Sequence, residues 1–259
     1  VTTALLAALL TVWVPGFEPA MTANGMAHWD TQPVGYRVHH AGSDDISDGS
    51  DLAAVRASFA AWTDLPGAAF AFRFDGLTNL TATAGSEGSE GSNLVVWREN
   101  PAEWVADGNS PLYYAITTLS FDKCSAALVD ADIEVNGGYH TFSTSDDSVA
   151  VDIQNVLTHE VGHVVGLDHS ADSSAVMYAK AAAGETSKRI LKQDDLEGVR
   201  YLYPAEGDPP WLEQHDGCGG GCAVQRVGAG GASAGGAIPL ALAVVALVCL
   251  RLGRRGAVP

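Results

Sequence analysis

The segment HEVGHVVGLDH, His159 to His169, constrains this chain more than any other. Residues four apart on a helix lie nearly on one face, so His159 and His163 present two imidazoles to a single ion. Glu160 stands one step round the helix, near the same ion without serving as a ligand. Gly166 permits a sharp backbone turn that a side chain would hinder, and that turn brings His169 back as a third nitrogen donor. Three neutral imidazoles with an open fourth position suit a catalytic zinc ion. Such an ion lowers the pKa of a bound water to about 7, where a neighbouring carboxylate can take the proton. Ordinary packing of a helix requires neither the three histidines nor the glycine at that one place.

The surrounding sequence supplies elements to carry this segment. SVAVDIQNVLTHEVGHVV, Ser148 to Val165, is the longest helical pattern of the chain. Leu52, Val55, Phe59 and Trp62 recur at helical spacing in an amphipathic helix over 51–64, with Asp51 as its N-cap. A last helix, LKQDDLEGVRYLY, stops at Pro204, which cannot continue it. PVGYRVH, FAFRF, NLVVWRE, LYYAITTLSFD and DADIEV read as strands. GSEGSEGSN, Gly85 to Asn93, reads as a surface loop.

These residues resemble those of the metzincin metalloproteases and, within them, the matrixins. HEVGHVVGLDH fits the long zinc-binding motif, Ser170 directly after the third histidine is the matrixin variant, and SAVMY matches the Met-turn. VDIQNVLT and LKQDDLEGVRYLYP are similar to the flanking matrixin helices, so the resemblance runs from about Trp29 to Pro204. It implies an α+β fold: a twisted, mostly parallel sheet of about five strands with an active-site helix and a C-terminal helix. It implies zinc on His159, His163 and His169, Glu160 as general base, and Met177 beneath the metal. The implied activity is a zinc endopeptidase whose edge strand, AITTLSFD, pairs with an extended peptide or protein substrate. The segment from Ser170 to Tyr178 would wall the pocket for the side chain after the scissile bond. A non-proteolytic surface module with a structural zinc is the rival reading, and Glu160 argues against it because a structural site has no need of a base.

Asp130, Asp132 and Glu134 alternate onto one face of a strand and suit Ca2+ as the family's acidic residues do. A solvated carboxylate row is the blander and favoured account, since no glycine-bounded ligand loop accompanies them. His39, His40 and His140 share no metal spacing. Cys124, alone in the body of the chain, reads as a buried or idle thiol.

The 31 acidic and 14 basic residues give a net charge of −17, which repels phosphate backbones and excludes nucleic acid as a partner. The apolar run Ala4 to Val14 resembles a secretory leader, with 1–27 as the expected signal peptide, cleaved after Ala27. The expected folded domain is 28–205. A Gly/Ala-rich linker with Cys218 and Cys222 follows at 206–236. An apolar span at 237–252 reads as a membrane helix, and Arg254 and Arg255 lie in a basic end at 253–259 kept on the cytoplasmic side. The arrangement resembles the cysteine-containing sorting tails of myxobacterial surface proteins. Cleavage of the tail, permanent anchoring, or a small disulfide or metal loop at Cys218 and Cys222 all remain open. Together the two ends imply export and an extracellular or cell-surface location.

Overall fold

The computed structural model describes residues 15–83, 92–145, 151–182, 184–212, 222–231 and 244–245. A short hairpin, β1 (Met21–Thr22) and β2 (Gly25–Met26), precedes β3 (Val34–His39) and the helix α1 (Ser50–Ala61). Then come β4 (Phe72–Thr78), β5 (Leu94–Trp97), α2 (Pro101–Ala106), β6 (Tyr113–Asp122) and β7 (Leu128–Val135). Two short parallel strands, β8 (Phe142–Ser143) and β9 (Val151–Asp152), lead into α3 (Ile153–Val165). The chain continues through β10 (Lys180–Ala181), α4 (Gln193–Leu202), β11 (Cys222–Gly231) and β12 (Val244–Val245).

The main sheet runs β10-β11-β6-β7-β5-β3-β4, with β12 also on β11. The five expected strands are its body: β4, β3, β5 and β7 are mutually parallel, and β6 is antiparallel to β7. The fold is therefore the α+β architecture anticipated, with a sheet widened to eight strands because β11, β10 and β12 continue it past β6. Composition had marked β11 as linker, since glycine and alanine weaken strand propensity.

Apolar residues of α1, α3 and the sheet form one core. Three long-range hydrogen bonds pin α3 within it. Trp62 Nε1 donates to Thr158 O at 2.8 Å, Trp29 Nε1 to Val164 O at 2.7 Å, and Tyr203 Oη to Val165 O at 2.7 Å. The last two satisfy carbonyls that a helix C-terminus leaves without intrahelical partners.

Several expectations change. Asp51 is not the N-cap of α1; Gly49 is, at φ 76°, and the Asp51 carboxylate instead accepts Ser43 N–H at 2.9 Å. The helix α2 was missed, although Asn100 caps it through Ala102 N–H at 3.0 Å and Pro101 opens it, a standard start signal. Cys124 is disulfide-bonded rather than an idle thiol.

The leader boundary expected after Ala27 falls inside packed structure. Residues 16–20 run against 166–171, with Ala20 N–H donating to Gly166 O at 2.8 Å and Asp168 N–H to Glu18 O at 2.8 Å. Ala20 and Ala27 are buried, so the folded unit begins by Gly16. The apolar run Ala4 to Val14 lies outside the described residues. So does the expected membrane helix at 237–252, apart from Val244–Val245, which pair with β11 as a short strand. Among the described residues no helix is long and apolar enough to cross a membrane.

Candidate metal centre

The helix α3 starts where Asp152 caps it, accepting Asn155 N–H at 2.7 Å. The same carboxylate takes Arg189 Nε at 2.9 Å and Arg189 Nη2, which ties the helix start to the turn after the site. At its other end Gly166 adopts φ 109°. A Cβ there would lie 2.6 Å from Ala27 O, so both conformation and space demand glycine.

The turn works as the spacing predicts. His159, His163 and His169 converge, each offering one ligand atom within 4.8 Å of the others. His159 Nδ1 donates to Val176 O at 2.6 Å and His163 Nδ1 to Leu167 O at 2.8 Å. A carbonyl can only accept, so both rings carry their proton on Nδ1 and turn a lone pair inward on Nε2. Nε2 of all three histidines is buried without a hydrogen-bond partner. Burial pushes the pKa of His159 and His163 well below the ordinary imidazole value. Burial lowers His169 as well, against the opposing pull of the Asp168 carboxylate. Three neutral, buried nitrogen donors whose lone pairs have no protein partner fit a zinc ion.

Glu160, on the same helix, is fully buried, and its Oε2 accepts the Thr117 hydroxyl of β6 at 2.6 Å. Met177 is buried against α3: a Cβ on Gly162 would lie only 2.2 Å from its sulfur and 2.8 Å from Trp62 Cζ2. The Met177 turn is held by Asp195 of α4, whose carboxylate accepts N–H from Val176 at 2.9 Å and Met177 at 3.0 Å. It also accepts Lys192 N–H at 2.8 Å, and burial raises its pKa against these bonds. The neighbouring Asp194 accepts Gly16 N–H at 2.6 Å, Phe17 N–H at 3.0 Å and the Ser170 hydroxyl at 2.6 Å. Lys188, buried beside the site, has its pKa pushed down to about 8 by burial and donates through Nζ to Tyr178 O.

The sequence did not announce Thr117, Gly162, Asp194, Asp195 or Lys188. The two aspartates look like helix-opening charges, and apart from Lys192 their partners lie 18 to 178 residues away.

Asp130, Asp132 and Glu134 do share the β7 strand as the alternation predicts, but all three are buried rather than solvated. Among the described residues they do not form a group of three donors close enough to share one ion. Asp132 accepts Leu94 N–H at 2.8 Å. Glu134 accepts the Thr83 hydroxyl at 2.8 Å and pairs with Arg98, whose Nε lies 2.9 Å away. Among the described residues the three histidines are the one acidic, cysteine or histidine cluster able to hold a metal.

Comparison with known proteins agrees with this geometry. The family model described as matrixin matches residues 28–204. The chain is 41% identical to Metalloendoproteinase 1-MMP of Arabidopsis thaliana over 95 residues, 33% of this chain and 26% of that protein. It is 36% identical to Metalloendoproteinase 2-MMP of the same plant over 108 residues, 39% of this chain and 28% of that protein. To human neutrophil collagenase it is 24% identical over 198 residues, 76% of this chain and 38% of that protein. Each match thus spans less than two fifths of the relative.

Proposed function

The chain belongs to the matrixin family, and on that premise we propose that it is an exported zinc endopeptidase that cuts extended peptides or proteins. The observation that carries the reading is the convergence of three imidazoles with buried Nε2 atoms, two of them on the helix that also bears Glu160. His159, His163 and His169 would hold the zinc, which when bound supplies a Lewis acid for a peptide carbonyl and for water.

The remaining roles belong to the chain's own groups. The Val176 and Leu167 carbonyls fix two of the imidazoles in the donor tautomer. Glu160 takes a proton from the attacking water and delivers it to the leaving amine nitrogen. Thr117 keeps the Glu160 carboxylate oriented by its 2.6 Å hydrogen bond. β6 would offer main-chain groups to a substrate strand on the side where β11 now pairs with it. Export is supported by the apolar run at Ala4 to Val14 ahead of the folded unit. Retention at the cell surface rests on the apolar span and arginines of the C-terminal tail.

The test is product analysis by mass spectrometry on a mixed peptide library. Both the full chain and residues 15–212 are assayed with zinc, after chelation, and after zinc is restored. Internal peptide bonds should be cut in the zinc-loaded state and spared in the stripped one. A zinc-replete protein that leaves the whole library intact in both forms defeats the reading.

A further inference from the structure

The edge of β6, which an extended substrate needs, is already taken by the chain's own tail. β11 pairs antiparallel with β6 from Cys222 opposite Asp122 to Gly230 opposite Tyr113, with one irregularity between Ala229 and Gly230. On its far side β11 runs parallel to β10, Lys180 opposite Gly230 and Ala181 opposite Gly231. β10 follows directly on the Met177–Tyr178 turn. The tail strand therefore fills the gap between β6 and β10.

Its register carries it across the centre. Val227 lies opposite Thr117, the residue whose hydroxyl holds Glu160. Arg226 anchors the strand from the side: its Nη1 donates to Asp107 O at 2.8 Å and to Asn109 Oδ1 at 3.1 Å. With β11 alongside, Tyr114 to Phe121 are all buried. From Gly228 to Gly231 the strand is glycine and alanine only.

Two tethers keep this strand near its groove. The body of the domain ends in a docked segment, with Trp211 Nε1 donating to Leu202 O at 2.7 Å and its ring stacked on His28. Nine residues separate that segment from β11. In addition Cys124, just past the end of β6, is disulfide-bonded, and every other cysteine of the chain lies beyond residue 217. A peptide tied by a short linker faces its site at an effective concentration of about millimolar.

We propose that residues 222–231 are a built-in peptide ligand of the substrate edge, which competes with substrate and keeps the protein latent until the tail is displaced or removed. The latency half rests on the endopeptidase reading; the occupancy half does not. Displacement exchanges one set of strand hydrogen bonds for another and breaks no covalent bond of the strand.

The experiment uses the full chain with its disulfide intact, as wild type, Arg226→Ala and Val227→Pro. Proline at 227 lacks an N–H and disfavours strand pairing, and neither residue belongs to the metal centre. Hydrogen–deuterium exchange of the Tyr113–Asp122 amides is followed by mass spectrometry, beside zinc content and initial rates on a cleavable peptide. The wild type should protect the amides facing β11. Both variants should lose that protection, and their hydrolysis should rise on the order of tenfold at unchanged zinc content. Equal exchange in all three proteins overturns the proposal, as does cleavage of the wild-type chain within 222–231 on zinc loading. Protected amides without hydrolysis in any form count against the endopeptidase reading while upholding occupancy. Zinc-dependent hydrolysis with no protection does the reverse.

Discussion

Thr117 Oγ1 donates to Glu160 Oε2 at 2.6 Å, joining β6 to the active-site helix at its one buried carboxylate. A hydrogen bond to a charged group contributes about 1.5–3 kcal/mol, and here it also sets where the carboxylate points. Thr117→Val keeps the shape and removes the donor. Expected is a fall in kcat of about tenfold or more, with zinc content and KM little changed. An unaltered kcat would show that Thr117 does not position Glu160.

Asp195 acts at one remove from the metal ligands. It holds the N–H groups of Val176 and Met177, and the carbonyl of Val176 in turn receives His159 Nδ1. Asp195→Asn sets an amide NH2 against backbone donors. The expected result is a weaker metal site, by about 10–100-fold in zinc affinity as for other groups that orient a ligand. Competition titration with a chromophoric chelator measures it; wild-type affinity would contradict the assignment.

Gly162 is the floor on which Met177 rests. A methyl group there would meet the Met177 sulfur at 2.2 Å and Trp62 at 2.8 Å, and overpacking of this kind costs about 1–3 kcal/mol. Gly162→Ala should therefore lower Tm by several degrees, even though alanine is the better helix former by about 1 kcal/mol. A raised Tm would mean that Met177 and Trp62 yield freely.

Lys188 gives the pH dependence a sign. Burial holds its folded-state pKa at about 8, below its ordinary 10.5. A depressed pKa contributes stability that is present above the unfolded value and lost as pH falls through the folded one. The unfolding free energy of the wild type should thus rise relative to Lys188→Met between pH 8 and 10.5. Urea melts across that window test it, and a falling or flat difference would refute the buried cation.

Removing the metal should be felt in the fold as well as the reaction. A ligand present at about 1,000 times its Kd stabilises the native state by about 4 kcal/mol. Chelation should then depress Tm by about 10 °C, reversibly on zinc addition, in a domain of this size. Unmoved melting would argue that the three imidazoles bind no ion in solution.

What was legible in the sequence was local. The i, i+4 histidines, the glycine turn and the period-two strands act over a few residues, so α3, Gly166, His169 and the five-stranded body of the sheet could be anticipated. Contacts formed by chain closure could not. Asp194 looks like a helix-opening charge until Gly16 and Ser170 arrive to bond it. Asp132 and Glu134 alternate as calcium ligands would, yet the Leu94 amide and Arg98 occupy them instead. β11 reads as linker because glycine has little strand preference, and only the open edge of β6 makes it a strand.

The central claim is that Glu160 is the base beside a three-histidine zinc. The most direct measurement is kcat/KM on one cleaved peptide for wild type and Glu160→Gln at equal zinc content. This account predicts a loss of about a thousandfold, within the usual range for removing a general base, with the zinc retained. Two proteins of equal zinc content agreeing within about threefold would contradict it, since a real base loss sits far above that.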